Sequence, residues 1–280
     1  MAGRFLVDGE AQTAIDPGDR GLSYGDGLFE TVAVRLGQPL RWKSHLTRLG
    51  EGATRLGIPM PAVGLWEADL ARLLGAATPE RVVLKLILTR GVGGRGYAPP
   101  AAPKPTRIVH LSDWPTWPGT HAETGIVVRL CATRLGINPT LAGVKHLNRL
   151  EQVLAARELA ATGADEGLML DCDGRLIEGV RTNVFMVVED RLVTPSLSRC
   201  GVRGVMRDAL IGAAQELGIP ILEQDCDPTL LAHASELFVC NSLIGLWPVR
   251  AIQGWSTPSL SAGPVTRRLQ AWLEHTGRPE

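Results

Sequence analysis

Residues 145–157 read KHLNRLEQVLAAR, with a lysine immediately ahead of a helical pattern. Apolar side chains recur at helical spacing from this point and Gly163 is a typical helix stop, so the segment predicts a helix over 147–161. Partial burial of Lys145 would lower the pKa of its amine and free it for Schiff-base chemistry. A solvated surface lysine is the ordinary alternative, because most lysines are exposed.

A second helical pattern, over 205–217, follows the turn GVRG at 201–204 and is stopped by Gly218. Flexible glycines and the free backbone amides of a helix N-terminus are how proteins hold a phosphate group. An ordinary strand-to-helix turn has the same composition, so the sequence leaves both interpretations open. Glu178 ends an earlier strand-like segment, and its carboxylate faces either a shared cleft or bulk water.

Segments rich in β-branched and apolar residues, bounded by turn-forming residues, predict strands. They are 4–7, 28–35, 39–42, 81–88, 107–111, 125–132, 166–170, 175–178, 183–188 and 191–194. Helical spacing predicts two more helices, over 43–56 and 62–74. This order of elements predicts a mixed α/β protein.

A stretch of prolines and tryptophans, DWPTWPGT at 113–120, stiffens the backbone and interrupts regular structure. We therefore predict a smaller N-terminal α/β domain over 1–112, an interdomain linker over 113–120 and a larger C-terminal domain over 121–280. Within the first domain, GVGGRGYAPPAAPKP at 91–105 predicts a long loop. Loops of this length inside compact domains are usually functional or disordered.

The charge balance favours a small-molecule partner over nucleic acid or a membrane. Lysine plus arginine and aspartate plus glutamate both number 29, so no long-range field gathers a polyanion. Five cysteines without a CxxC pair suit neither a disulfide framework nor a zinc site, and His45 and His146 lack partners at metal-ligand spacing. Neither a leader-like N-terminus nor a stretch of about 18 apolar residues occurs, which predicts a cytoplasmic protein.

Seven motifs, in chain order, resemble those of the fold type IV pyridoxal-phosphate enzymes. They are DRGLSYGDGLFET (19–31), HLTRL (45–49), TRGVGGRGY (89–97), KHLNRLEQVLAAR (145–157), EGVRTNVF (178–185), GVRGVMR (201–207) and CNSLIGLWPV (240–249). That family contains branched-chain aminotransferases, D-amino-acid aminotransferases and aminodeoxychorismate lyases. The resemblance implies two domains with pyridoxal 5'-phosphate in the cleft between them, and a homodimer.

Carried over motif by motif, the resemblance implies a role for each matching residue. Lys145 resembles the lysine that binds the cofactor covalently and acts as the catalytic base, with Thr31 assisting it. Glu178 resembles the carboxylate that faces the pyridine nitrogen and keeps the ring protonated. The other implied cofactor-binding residues are Arg48, Asn183, Val205, Met206 and Ser242. The implied substrate-binding residues are Phe29, Arg95, Tyr97 and Arg149.

The runs GGRGY (93–97) and KHLNRLEQ (145–152) resemble the lyase branch, which converts 4-amino-4-deoxychorismate to 4-aminobenzoate and pyruvate for folate biosynthesis. Branched-chain aminotransferases carry tyrosine where Arg149 stands. D-amino-acid aminotransferases place arginine and histidine two apart where this chain has Arg95-Gly96-Tyr97. The resemblance therefore implies a carbon–oxygen lyase, with a D-amino-acid or branched-chain aminotransferase and a non-catalytic binding dimer as alternatives.

Overall fold

The structure, a computed structural model, describes residues 4–11, 14–75, 80–255 and 260–276. The described residues form two compact units: the first runs to Pro115 and also includes Val144–Asn148, and the second contains Thr116–Gly143 and the chain from Arg149 onward. Each unit contains its own sheet, so the predicted mixed α/β class is confirmed. Among the described residues, no helix combines the length and apolar character needed to cross a membrane.

The first unit is an antiparallel sheet packed against helices. Its described elements are β1 Arg4–Val7, α1 Arg20–Tyr24, β2 Gly27–Arg35, β3 Gln38–Pro39, α2 Trp42–Leu56, α3 Val63–Leu74, β4 Arg81–Thr89 and β5 Thr106–Asp113. The strands lie in the order β1-β5-β4-β2-β3, and each neighbouring pair is antiparallel. Alternate side chains of β2 and β4 point to one face, where they form a core with α2 and α3.

The hairpin between β2 and β3 turns at Leu36 and Gly37, which both have left-handed backbone with φ of 48° and 80°. Two consecutive residues with positive φ are typical of the tightest hairpins. The predicted second strand over 39–42 is wrong in its extent, because Arg41 also turns left-handed and α2 begins at Trp42. Trp42 packs against the core instead of continuing the strand.

The second unit contains a larger, mixed sheet. Its described elements are α4 His121–Thr124, β6 Ile126–Leu130, α5 Leu150–Ala160, β7 Glu166–Leu170, β8 Leu176–Gly179, β9 Asn183–Val188, β10 Arg191–Pro195, α6 Val205–Glu216, β11 Ile221–Gln224, a 3₁₀ turn Pro228–Ala232, β12 Glu236–Asn241, β13 Gly245–Ile252 and α7 Pro264–Thr276. The strand order is β11-β10-β9-β12-β13-β6-β7-β8. The pairs β10–β11, β13–β6 and β6–β7 are parallel, and the others are antiparallel.

The central strands of this sheet are apolar on both faces. Phe185 of β9 stacks on Phe238 of β12, with 5.1 Å between ring centroids, in a cluster completed by α6 and α7. The neighbouring residues Val184 and Val239 belong to a different cluster. A slip of one residue would exchange the two sets, so the packing fixes the register of these strands.

Helix α5 begins at Leu150, three residues later than predicted. The delay has a tertiary cause, because residues 145–147 form hydrogen bonds with β2 of the first unit instead of continuing the helix. The predicted apolar stripe of α5 does not face the core. Leu150, Val153 and Leu154 are exposed, and Ala155 is the buried residue of the helix.

Candidate active site

Lys145 is fixed beside the beginning of β2 by backbone hydrogen bonds. The Phe29 N–H donates to the Lys145 carbonyl at 3.1 Å, and the Leu147 N–H donates to the Gly27 carbonyl at 3.0 Å. Because β4 occupies the other edge of β2 along its whole length, residues 145–147 act as a short additional strand on the remaining edge. The main chain therefore sets the position of this lysine.

The Lys145 amine lies over an aromatic ring, with its nitrogen 4.2 Å from the Phe29 centroid. Phe29 and Thr31 are two residues apart on β2, so both point to the same face of the sheet, away from the core face that contains Leu28. All three of Lys145, Phe29 and Thr31 are half-buried. The structure thus brings together the predicted catalytic lysine and the predicted substrate residue Phe29, with Thr31 on the same face.

On the core face of β2, Glu30 forms a buried ionic cluster with two residues of α2. Arg48 donates through Nε to Glu30 Oε1 at 2.8 Å and through Nη2 to Oε2 at 2.5 Å. His45 Nδ1 lies 2.7 Å from Glu30 Oε2. Glu30 is not among the predicted site residues, although a carboxylate in the middle of the apolar run LFETVAV indicates a buried partner.

The charges of this cluster follow from its burial and contacts. Burial alone would raise the pKa of Glu30, but the Arg48 charge and the hydrogen bonds with His45 and Arg48 lower that pKa to about 2. Burial lowers the pKa of His45; the hydrogen bond and charge of Glu30 oppose that lowering, and the nearby charges of Arg48 and Lys145 add to it. At neutral pH the cluster therefore contains an ionised carboxylate, a neutral imidazole and a guanidinium. The carboxylate holds Arg48, the predicted phosphate ligand, in one bidentate geometry.

Arg95 and Tyr97, which the sequence predicts to bind substrate, lie on the loop 91–105 between β4 and β5. Both side chains are exposed. The Tyr97 ring packs against Tyr24 of α1, with 5.5 Å between centroids. These two loop residues are thus exposed, whereas the lysine and its aromatic neighbour are half-buried.

In the second unit, three predicted cofactor-binding features meet at the turn 201–204. The Val202 N–H donates to Glu178 Oε2 at 2.8 Å, and the Asn183 side-chain amide donates to the Val202 carbonyl at 2.9 Å. Glu178 is buried and is the penultimate residue of β8. Helix α6 begins directly after this turn. The Glu178 carboxylate, the Asn183 amide and the helix N-terminus therefore all lie beside residues 201–204.

The first turn of α6 has no side-chain cap at Gly204. An uncapped helix start is where proteins bind phosphate through backbone amides, and Val205 and Met206 provide such amides here. A Cβ atom at Gly204 would lie 2.1 Å from Asn183 Oδ1. Only glycine therefore allows the helix start to approach the Asn183 side chain this closely.

The remaining predicted residues of the second unit lie around the same strands. Ser242 follows β12, two residues beyond Cys240, which is paired with Asn183 of β9. Arg149 immediately precedes α5. Burial lowers the pKa of Arg149, and the negative charge of Glu178 opposes that lowering. Arg149 is therefore electrostatically coupled to the buried carboxylate.

Comparison with known proteins gives consistent matches. Residues 27–252 match a family model described as amino-transferase class IV. The chain is 37% identical to an aminodeoxychorismate lyase of Vibrio harveyi over 271 residues, which cover 96% of this chain and 99% of that protein. The crystal structure of 4-amino-4-deoxychorismate lyase from Pseudomonas aeruginosa has a TM-score of 0.90 and 46% identity, covering 97% of this chain and 98% of that one. The branched-chain amino acid aminotransferase of Escherichia coli has a TM-score of 0.85 and 26% identity, covering 99% and 96%.

Proposed function

The chain belongs to the amino-transferase class IV family, and from that membership we propose that it is a lyase converting 4-amino-4-deoxychorismate to 4-aminobenzoate and pyruvate. The observation that carries the proposal is the identity to two lyases over nearly the whole chain, 37% and 46%, against 31% and 26% for two proteins named as branched-chain aminotransferases. The cofactor of the family is pyridoxal 5'-phosphate. The product 4-aminobenzoate would then serve folate biosynthesis.

The polar groups of the second unit described above fit this cofactor. The Glu178 carboxylate is buried and fixed by Val202, which suits a partner for a protonated pyridine nitrogen. The amides of Val205 and Met206 at the uncapped start of α6 suit a phosphate. Asn183 fixes the backbone of that turn. We assign the Ser242 hydroxyl to the phosphate as well.

We assign two basic groups of the first unit to the cofactor. The Arg48 guanidinium, fixed by Glu30, is assigned to the phosphate, for which arginine is a preferred partner. Lys145 is assigned to the aldehyde carbon, because its amine is half-buried and its backbone is fixed by β2. Bound pyridoxal phosphate supplies that aldehyde, which takes up an amine, and a ring that accepts electrons.

Lys145 is also the base of the reaction. With the cofactor bound, Lys145 would remove the proton from the substrate carbon that bears the amine, and the enolpyruvyl ether bond at the neighbouring carbon would break. The substrate ring would become aromatic. Return of the proton to the departing enolpyruvyl group would give pyruvate, so no second substrate would be consumed. Phe29 shields one side of the Lys145 nitrogen, and Thr31 on the same face assists the proton transfer.

Substrate carboxylates are assigned to the arginines and the tyrosine of the predicted set. Arg95 offers a guanidinium fork that matches a carboxylate with two hydrogen bonds, and Tyr97 stands two residues further along the same loop. Arg149 is the third residue of this group. We further infer a homodimer, which is supported by the exposed apolar side chains of α5. A cytoplasmic location stays a prediction.

Product analysis tests the proposal. Purified enzyme saturated with pyridoxal phosphate, given aminodeoxychorismate and no keto acid, should release pyruvate and 4-aminobenzoate in equal amounts. Lys145→Ala is the matched control and should release neither product. Turnover that requires a keto acid acceptor, with no aromatic product, would show an aminotransferase and contradict the lyase proposal.

A further inference from the structure

The loop 91–105, which contains Arg95 and Tyr97, runs along the protein surface from the end of β4 to the beginning of β5. Tyr97 is 86% exposed and Arg95 is also exposed. The glycines at 91, 93, 94 and 96 give the first part of this loop many accessible conformations, and ordering it carries an entropic cost. The described contacts show that two consecutive buried residues, Asp19 and Arg20, hold its base and its tip.

Asp19 holds the base of the loop. Its side chain is 1% exposed. One carboxylate oxygen, Oδ2, accepts hydrogen bonds from the Thr89 hydroxyl at 2.8 Å and from the Thr106 hydroxyl at 2.7 Å. Thr89 ends β4 and Thr106 begins β5, so the two ends of the loop are joined through a single oxygen. The other oxygen accepts the Gly21 N–H and begins α1.

Arg20 holds the tip of the loop. Its guanidinium donates through Nη1 to the Gly96 carbonyl at 3.0 Å and through Nη2 to the Tyr97 carbonyl at 2.8 Å. The Ala98 carbonyl lies 3.4 Å from the same Nη1. A planar fork with several donors can bind successive carbonyls in this way, and the single ammonium of lysine cannot reproduce it.

The Arg20 side chain is itself fixed on its other side. Its Nε donates to Asp26 Oδ2 at 2.8 Å, and the same carboxylate pairs with Arg90. Burial raises the pKa of Asp26, but hydrogen bonds from Arg90 and Arg20 outweigh that effect and lower it. The Arg20 guanidinium lies over the Tyr24 ring, with 4.8 Å between Arg20 Cζ and the ring centroid. The guanidinium therefore has one defined orientation when it meets the loop.

The loop also passes directly over the aliphatic part of Arg20. A Cβ atom at Gly93 would lie 2.6 Å from Arg20 Cδ and 3.0 Å from Cγ. These atoms lie in the middle of a buried side chain, so they cannot move aside without changing the guanidinium position. Gly93 is thus a position at which the loop has no room for a side chain beside Arg20.

We infer that Arg20 is a positioning residue for substrate recognition: it binds the carbonyls of Gly96 and Tyr97 and so fixes the direction in which Arg95 and Tyr97 face a substrate carboxylate. The inference rests on the proposed function in assigning those two side chains to the substrate. Arg20 itself acts through the loop backbone and is not assigned to any reacting atom.

Kinetics of Arg20→Gln test the inference. We expect kcat/KM for aminodeoxychorismate to fall roughly ten- to hundredfold, mainly through a higher KM, because misplacement of a binding group by about 1 Å has effects of this size. Pyridoxal phosphate content should equal that of the wild type. Arg20→Lys should recover only part of the loss. Arg81→Gln, which removes the same charge at an exposed site of the first unit, is the control and should retain wild-type kinetics.

A measurement that does not depend on catalysis tests the anchoring of the loop independently of the proposed function. Trypsin cleavage after Arg95, followed by mass spectrometry, measures how firmly the loop tip is held. We expect Arg20→Gln to be cleaved at Arg95 at least about tenfold faster than the wild type, since local opening controls such cleavage. Gly93→Ala should have a similar effect in the wild type and a much smaller one in Arg20→Ala, because the Cβ clash then disappears.

The outcomes are distinct. Faster cleavage at Arg95 with non-additive Gly93 and Arg20 effects supports the anchoring even if the wild type proves not to be a lyase. Wild-type lyase kinetics in Arg20→Gln, or unchanged cleavage at Arg95, overturns the inference and leaves the proposed function intact. If Arg20→Gln does not fold, wild-type KM together with wild-type cleavage at Arg95 in Arg20→Lys overturns it instead, because the single ammonium of lysine cannot bind both carbonyls.

Discussion

Glu30 keeps an ionised carboxylate inside the first unit because Arg48 and His45 replace the water that it loses. Replacing a buried ion pair by apolar residues is often tolerated, but removing one partner leaves the other charge buried without compensation. The cluster is therefore a site where one substitution has a large effect on stability, and where the effect depends on pH.

The pKa of Glu30, lowered from 4.5 to about 2, sets the direction of that dependence. Between these values the unfolded chain binds a proton that the folded chain does not, so the stabilisation is complete above about pH 4.5 and lost as the pH falls toward 2. His45 acts in the same direction: its pKa is lowered from 6.5, so stability also declines as the pH falls below that value.

Glu30→Gln should lower the free energy of unfolding at pH 7 by on the order of 3 kcal/mol. It should also flatten the decline of stability with acidity, over the pH range in which the wild type remains folded. Urea unfolding at several pH values measures both effects. Glu80→Gln, at an exposed carboxylate, is the matched control and should keep the wild-type profile. An unfolding free energy of Glu30→Gln equal to that of the wild type at pH 7 would contradict the assigned ion cluster.

At the scale of elements, the start of α6 allows a test of the phosphate assignment. Gly204 has an ordinary negative φ of −68°, so backbone strain does not require glycine there. The requirement is steric, since a Cβ atom would overlap Asn183 Oδ1. Any displacement of the Asn183 side chain would also release its hydrogen bond to Val202 and loosen the turn.

Gly204→Ala should therefore weaken binding of pyridoxal phosphate by the apoprotein roughly tenfold, the effect of about 1.4 kcal/mol lost from one contact region. An absorbance titration measures the dissociation constant. Gly212→Ala lies on the same helix with nothing within 4 Å of the added carbon, and it should leave binding unchanged while raising stability slightly. Equal affinities for both variants would argue against a phosphate at this helix start.

Elements with long periodic patterns were predictable from the sequence, and those defined by tertiary contacts were not. Helices α2, α3 and α6 and most strands lie within one or two residues of their predicted bounds. Helix α1 has five residues, too few to show a period. Residues 145–147 form hydrogen bonds with β2, a strand more than a hundred positions earlier in the sequence, so the local helical pattern was misleading there.

At the scale of the whole molecule, the candidate site also combines residues that local sequence patterns indicate with residues that only tertiary contacts bring together. Motif resemblance indicated Lys145 and Glu178, because each belongs to a contiguous run of the sequence. The contacts of Asp19 join residues separated by 70 and 87 positions, and no local pattern reports such pairing. Glu30 was missed for a related reason, since its partners lie on the next helix and become neighbours only after folding.

The exposed face of α5 leads to the last prediction. Leu150, Val153 and Leu154 are 76%, 60% and 45% exposed, and they lie three and four residues apart, so they form one continuous apolar stripe. Such a stripe is a frequent feature of association surfaces, and its exposure in water is unfavourable. A second copy of the chain is the partner that we propose, and light scattering should therefore give a mass of twice 30.0 kDa.

Substitution of Leu150 and Val153 by glutamate should convert the dimer to single chains, because each dimer would then bury four additional carboxylates without partners. Leu222→Glu, at an exposed leucine on the edge strand β11, is the matched control and should leave the mass doubled. A wild-type mass of 30.0 kDa would contradict the homodimer. A doubled mass that survives the Leu150 and Val153 substitutions would instead place the association surface elsewhere, since two charged residues on a buried stripe cannot be accommodated without a loss of affinity.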